Sequence, residues 1–346
     1  MSTPSNPPPT APGAIPGKRR LRRSRRRRVL AGALAILAVI ALGAAILYVR
    51  EGRQEKADAA NTPRVGETIT VDGRSWNLHC TGTASGRSHP TVVLEAGLTE
   101  SSLTWADLQP LLAGHVRVCS YDRAGYGWSD PATGARTAET IAAELHALLA
   151  AGGERGPYLL VGHSLGGLYV RAFAAIYPDE TAGLVLIDPT NDDDVIRAGT
   201  PWPAILMMRG QQAIVRLGLT RTVASGVLED AIEPNAPEAI RSRIHFLYRP
   251  QAIGTAIDEL DASVGSARFV QDHPVRANLP IVVLLADDSW DRDHDHFAGL
   301  SSDTTVTRMA GGHYLYYDHP QEVANVILAA AGVTTGTASP ASTPAP

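Results

Sequence analysis

Short apolar runs recur along the middle of the chain, each of strand length and bounded by Gly, Pro or Asp. They are rich in Val, Ile and Leu without polar alternation, which is typical of a parallel sheet covered on both faces. These runs lie at residues 91–94, 116–119, 158–161, 184–187 and 281–285. A pair of runs at 69–71 and 76–80, separated by Asp72-Gly73, predicts an antiparallel hairpin at the start of the sheet.

A helical pattern separates the second and third runs. Ile141, Leu145 and Leu148 recur at helical spacing, Thr137 is placed to cap the helix, and Gly152 ends it. Strands that alternate with helices predict an open α/β sheet. Residues 190–280 carry helical patterns but no convincing strand. We therefore expect a helical insertion, or cap, over the sheet edge at which such folds bind ligands.

The N-terminal part has a different composition. Residues 29–49 carry no charge, and as a helix they would be about 31 Å long, which matches a bilayer core of about 30 Å. Nine basic residues between positions 18 and 28 precede them. The positive-inside rule therefore predicts a single-pass anchor in the cell membrane with the later residues outside the cytoplasm. The alternative is a cleaved signal peptide, which would release a secreted protein.

Composition divides the remaining chain into segments. Residues 1–28 are predicted to be a disordered Pro- and Arg-rich segment, 50–63 a polar linker, 64–333 the folded domain and 334–346 a disordered tail. The 346-residue chain has 31 basic and 35 acidic residues, and all the acids follow residue 49 with only 22 of the basic residues. A domain this acidic is a poor partner for nucleic acid, so that class is excluded.

The chain has two cysteines, Cys80 and Cys119. Two are too few for a disulfide scaffold or a cysteine-based zinc module. From the residues alone, a bridge between them and a pair of buried thiols both stay open.

A nucleophile motif directly follows the run at 158–161. It reads Gly162-His163-Ser164-Leu165-Gly166 and leads into a helical pattern over 165–177. In a tight turn between a strand and a helix, this pattern raises the serine hydroxyl above the sheet. Ser164 is therefore the predicted nucleophile.

A serine hydroxyl needs a base to accept its proton. His313, in a glycine-containing loop after the run at 305–309, is the best-placed histidine for an order of serine, acid and histidine. The acid that orients it is either Asp188, after the run at 184–187, or Asp288, after the run at 281–285. The backbone amides of Leu98 and Leu165 are the predicted oxyanion donors.

Four motifs together resemble the α/β-hydrolase fold family: Leu94-Glu-Ala-Gly97, Tyr121-Asp-Arg-Ala-Gly-Tyr-Gly-Trp-Ser-Asp130, Gly162-His-Ser-Leu-Gly-Gly167 and Gly311-Gly-His313. The resemblance covers residues 64–333. It implies a mostly parallel eight-stranded sheet flanked by helices, a helical cap and a Ser-His-acid triad. In that strand order Cys80 and Cys119 lie on adjacent strands, which favours a bridge.

Two motifs depart from the family's pattern. The loop after the first parallel strand reads Ala96-Gly97 where the family usually has His-Gly. The late acidic loop lacks the usual Asp, because Ser289 stands three residues after Ala286. This second departure raises Asp188, a placement that some members of the family use.

These observations predict a membrane-anchored serine hydrolase that cleaves carboxylic esters of a small acyl substrate through an acyl-enzyme. Alternatives are an amidase or peptidase, a carbon–carbon hydrolase, or a catalytically inactive binding module of the same fold. Epoxide hydrolase and dehalogenase chemistry is disfavoured, because those family members use Asp at the position of Ser164. No cofactor is expected. No metal site is expected either, because the acidic segment 291–296 lacks the glycine and terminal glutamate of a calcium loop.

Overall fold

An eight-stranded sheet forms the centre of the computed structural model, which describes residues 17–83, 89–222, 233–287 and 290–334, with the backbone alone at 17–25 and 290–292. The strands are β1 (Glu67–Val71), β2 (Arg74–Thr81), β3 (Thr91–Glu95), β4 (Val118–Asp122), β5 (Tyr158–His163), β6 (Thr181–Ile187), β7 (Ile281–Ala286) and β8 (Thr304–Met309). Their order across the sheet is β1-β2-β4-β3-β5-β6-β7-β8. Every apolar run that predicted a strand contributes to one.

Strand direction divides the sheet into a short antiparallel entry and a long parallel part. β1 pairs with β2, and β2 with β4, in antiparallel register, whereas β4 to β8 are joined by parallel pairs. The predicted hairpin and parallel sheet are thus confirmed. In the β2–β4 register Cys80 lies opposite Cys119, and a disulfide joins them.

Helices cover both faces of the sheet. The described α-helices of the chain are α1 (Gly17–Asn61), α2 (Leu108–Ala113), α3 (Ala138–Ala151), α4 (Gly166–Ile176), α5 (Asp192–Ala198), α6 (Trp202–Arg216), α7 (Glu238–Arg241), α8 (Ile244–Leu247), α9 (Pro250–Asp272), α10 (Trp290–Ala298), α11 (Leu315–Asp318) and α12 (Pro320–Ala330). One core lies under α3 and α4, and a second under α2 and α12. Both faces of the sheet are buried under helices, which explains the uninterrupted apolar runs in the sequence.

The described residues between β6 and β7 are helical and carry α5 to α9. A buried ionic cluster joins this cap region to the sheet. Arg123, after β4, bonds to Glu95 of β3 (2.7 Å) and to Glu259 of α9 (2.9 Å), and all three side chains are almost fully buried. An arginine buried between two carboxylates is stable only while both charges stay paired, so the cluster ties the cap to one place on the sheet.

The N-terminal helix is longer than predicted. α1 includes residues 17–28, which we expected to be disordered, and residues 50–61, which we expected to form a linker. Arg, Ala, Glu, Lys and Gln all have high helix propensity, so a helix that starts in the apolar segment extends in both directions. Its C-terminal part is also held by Arg221, which pairs with Glu51 (2.9 Å) and Asp58. The structure thus has helix at 17–28 and at 50–61, where the sequence predicted a disordered segment and a polar linker.

Candidate active site

Ser164 stands in the turn between β5 and α4. Its φ of 51° lies in the left-handed region, which is strained for a non-glycine residue and is typical of functional turns. The turn is closed by its neighbours: a Cβ on Gly162 would lie 2.7 Å from the Val170 side chain, and one on Gly166 would lie 2.6 Å from the Ala96 carbonyl oxygen. The two glycines therefore let β3, β5 and α4 approach closely enough to form the turn.

His313 and Asp188 meet at the carboxyl edge of the sheet. The His313 Nδ1 atom lies 2.6 Å from Asp188 Oδ2, and the imidazole is 45% exposed while the Asp188 side chain is 8% exposed. The other oxygen of Asp188, Oδ1, accepts a hydrogen bond from the Ala286 amide of β7 at 3.0 Å. The carboxylate is thus held by the neighbouring strand and points its second oxygen at the imidazole.

The alternative acid, Asp288, lies outside the described residues. Its neighbour Asp287 is exposed and pairs with Arg308 at 2.6 Å. Of the two predicted acids, Asp188 is the one that the described structure brings to His313.

The loop after β3 carries the first predicted oxyanion donor. The Gly97 amide donates to Glu100 Oε2 at 2.8 Å, so it is not directed at the nucleophile. Among the described residues, no protein acceptor takes the amide of Leu98 or that of Leu165, the residue after Ser164. The amides of Leu98 and Leu165 remain the predicted oxyanion donors.

A polar cluster that sequence reasoning missed lies beneath this site. Glu100 and His163 are both buried, and the Nδ1 atom of His163 lies 3.2 Å from Glu100 Oε1. The other ring nitrogen, Nε2, donates to the backbone carbonyl of His313 at 3.0 Å. The Tyr316 hydroxyl donates to Glu100 at 3.3 Å. Glu100 therefore connects the loop after β3, through His163, to the loop that carries His313.

Electrostatics keep Glu100 charged. Burial alone would raise its pKa, but the charge of His163, its hydrogen bond and the Gly97 amide lower the pKa below the ordinary value. The signal in the sequence was the polar residue His163 at a buried strand end, since a buried imidazole needs partners.

Two other polar segments have structural partners. Arg123 of the Tyr121-Asp-Arg motif belongs to the ionic cluster that holds the cap. The acidic segment after β7 forms the helix α10. There His296 bonds to the buried Asp192 at 3.0 Å, and Asp293 accepts from Asn191. These bonds join α10 to the start of α5.

A small cavity lies beside Tyr314, the residue after His313. Its volume is about 30 Å³, and it is lined by Tyr314, Thr99, Glu100, Tyr126 and Tyr248 among others. Burial raises the pKa of Tyr248 to about 12, so this hydroxyl stays protonated at neutral pH. A cavity of this size holds water, whereas small-molecule sites are about 300–1,000 Å³.

Comparisons with known proteins agree with the fold. A sequence model described as the alpha/beta hydrolase fold matches residues 90–211. The uncharacterized protein YqjL of Bacillus subtilis is 36% identical over 127 residues, which are 37% of this chain and 49% of YqjL. The chain thus matches about half the length of this relative.

Solved structures match more of the chain. An enol-lactonase from Burkholderia xenovorans aligns with a TM-score of 0.58 at 18% identity, over 76% of this chain and 99% of the enzyme. The epoxide hydrolase CorEH aligns with a TM-score of 0.60 at 16% identity, over 77% and 97%. The strand order and these matches show that the chain has the α/β-hydrolase fold.

Proposed function

We propose that this protein is a serine hydrolase that cleaves carboxylic esters through an acyl-enzyme. The observation that carries the proposal is the strained turn at Ser164 on the same sheet edge as the His313–Asp188 pair. The solved structures that align with this chain include an enol-lactonase and an epoxide hydrolase. This chain has a serine at the turn, which suits acyl transfer.

In the proposed mechanism the Ser164 oxygen attacks the ester carbonyl carbon while His313 Nε2 accepts the hydroxyl proton. Asp188 fixes the tautomer by accepting from Nδ1–H. The amides of Leu98 and Leu165 stabilise the negative oxygen of the tetrahedral intermediate. His313 then protonates the leaving alcohol, and water, activated by the same imidazole, releases the carboxylic acid. The apolar side chains of the cap favour an apolar acyl or alkyl group.

A fluorophosphonate probe tests this proposal on the full-length protein in detergent and on intact cells. We expect labelling of the wild type and none of Ser164→Ala. A panel of esters, amides and carbon–carbon substrates then assigns the bond. Folded wild type that does not react would contradict the proposal and favour an inactive binding module.

We also propose that the apolar part of α1 spans the cell membrane and that the catalytic domain lies outside the cytoplasm. The support is a helix with an apolar segment that is exposed along its whole length, preceded by basic residues. The Cys80–Cys119 disulfide suits an oxidising compartment. An epitope tag at the N-terminus decides between anchor and cleaved signal, because cleavage would remove the tag from the active protein.

A further inference from the structure

The outward surface of α6 is apolar. Ile205, Met208 and Val215 are buried against α9, so the opposite side of the helix should be polar in a soluble protein. Instead, that side of the helix carries large apolar side chains that are exposed. Trp202 is 64% exposed, Leu206 72% and Met207 69%, and Pro203, Gly210, Ala213 and Ile214 complete the same side. We name these seven residues the α6 face.

Contiguous exposed apolar surface marks an interaction site. Two observations indicate what covers the α6 face. The first is its neighbour: α6 contacts α1, whose apolar segment is itself exposed, with Val39 at 71%. Just after α6, Arg221 pairs with Glu51 and Asp58 of α1. Because Glu51 follows residues 29–49 almost directly, these pairs hold the C-terminal end of α6 close to the point at which the apolar segment ends.

The second observation is charge. Arg209 and Arg216 are exposed along one edge of the α6 face, and Arg50 and Arg53 follow the apolar segment of α1. A helix with an apolar side that includes Trp, bordered by arginines, is the pattern of a helix lying in a bilayer interface, where the cations meet lipid phosphates.

We propose that the α6 face lies in the interface of the same bilayer that α1 spans, and that its occupant is lipid. The inference rests on the proposed membrane span of α1. Since α6 belongs to the cap over Ser164 and His313, the cap would meet the membrane surface. The site would then receive esters that are dissolved in the bilayer, and its substrate class would be lipophilic acyl esters rather than soluble ones.

A depth measurement tests the position of α6 without using activity. The full chain carrying Leu206→Cys is reconstituted into vesicles of phosphatidylcholine and phosphatidylglycerol and labelled with an environment-sensitive fluorophore. The native cysteines are bonded to each other, so only the new thiol reacts. Asp179→Cys is the matched control, because Asp179 is exposed at the opposite, amino end of the strands. We expect strong quenching by nitroxide-bearing lipids at position 206 and little at 179.

Equal, water-like emission at both positions would overturn the inference. So would a shielded label at position 206 that lipid nitroxides do not quench, because a second copy of the chain would then cover the α6 face.

An activity comparison tests the consequence. The double variant Leu206→Asp, Met207→Asp should hydrolyse a short soluble ester at the wild-type rate and a bilayer-dissolved long-chain ester about tenfold more slowly. Unchanged hydrolysis of both esters would overturn the inference about substrate access. A wild type that does not react with fluorophosphonate would instead contradict the proposed hydrolase, and extraction of the wild type by alkaline carbonate would contradict the membrane span. Both results differ from the one expected if only the proposed position of the α6 face is wrong.

Discussion

The Asp188 carboxylate is bound on both sides by donors. One oxygen faces His313 Nδ1, and the other accepts from the Ala286 amide. An asparagine in this place has one acceptor and one donor, so either orientation sets its NH₂ group against another N–H. The imidazole then turns to the wrong tautomer or loses its support.

We therefore expect Asp188→Asn to fold and to lower kcat by about 10²- to 10⁴-fold. Ester hydrolysis and the rate of fluorophosphonate labelling measure the loss. Asp287→Asn is the matched control, because its side chain is exposed and pairs only with Arg308 among the described residues. A large loss in Asp288→Asn with little change in Asp188→Asn would assign the acid to the other candidate.

Glu100 supports the reacting groups from below without touching substrate in the proposed mechanism. Glu100→Gln keeps the shape but weakens the bonds to His163 and to the Gly97 amide. Small shifts of catalytic loops lower rates by up to about 10²-fold, so we expect a fall of about 10- to 100-fold in kcat with a smaller change in KM.

The pKa of Glu100 is lowered, so the carboxylate remains charged throughout the neutral range and the loss should not depend on pH between 6 and 9. The control is Glu238→Gln at an exposed position. Activity of Glu100→Gln equal to that of the control would show that the cluster is only structural.

Residue-scale reasoning from sequence could single out Ser164 and His313 as candidates because each belongs to a local pattern whose neighbours carry the information. The same reasoning left the acid open, because two strands end in aspartate at the same sheet edge. It missed Glu100 because that residue's role depends on His163, 63 positions away, and no local pattern joins them.

At the scale of elements, α3 shows how much a sequence pattern can predict. Thr137 caps it, Gly152 ends it, and the predicted apolar positions are buried, because cap, periodicity and stop signal agree. The segment 50–61 was mispredicted since its helix depends on a continuous apolar helix before it and on Arg221 far along the chain. Tertiary contacts thus decided the elements whose local signals were weak.

The contact between α5 and α10 predicts a pH dependence of stability. The hydrogen bond with Asp192 raises the pKa of His296 despite its partial burial. Burial would raise the pKa of Asp192, but bonds from His296 and Arg171 lower it well below its usual range. A raised histidine pKa stabilises the fold below the unfolded value of about 6.5, and this stabilisation is lost as pH rises through the folded value.

We expect the free energy of unfolding of the wild type to fall between pH 6 and 8. The fall should be about 1.4 kcal/mol for each pH unit by which folding raises the pKa of His296. His296→Gln should remove this dependence. Urea unfolding in detergent at both pH values measures it, with His294→Gln as the control on the exposed side of α10. An unchanged pH dependence in His296→Gln would contradict the assignment.

For the whole molecule, the disulfide joins the antiparallel entry to the parallel part of the sheet. Cys80 and Cys119 are 39 positions apart, and the Cys119 side chain is fully buried. A cross-link that closes a loop of this length stabilises a protein by about 4 kcal/mol in the chain-entropy model, because it restricts the unfolded chain. The paired variant Cys80→Ser, Cys119→Ser should therefore have a free energy of unfolding lower by about that amount and unfold at a lower urea concentration. It should retain activity at low temperature.

The redox state of these two cysteines in cells indicates the compartment of the domain, since thiols stay reduced in the cytosol. Thiol trapping of protein taken directly from cells should find both cysteines blocked by their bond if the domain lies outside the cytoplasm. Removal of the nine basic residues before the apolar segment should weaken the positive-inside signal and increase the reduced fraction. Fully reduced wild type in cells would contradict the proposed side of the membrane, while leaving the predicted gain in stability on oxidation in vitro unaffected.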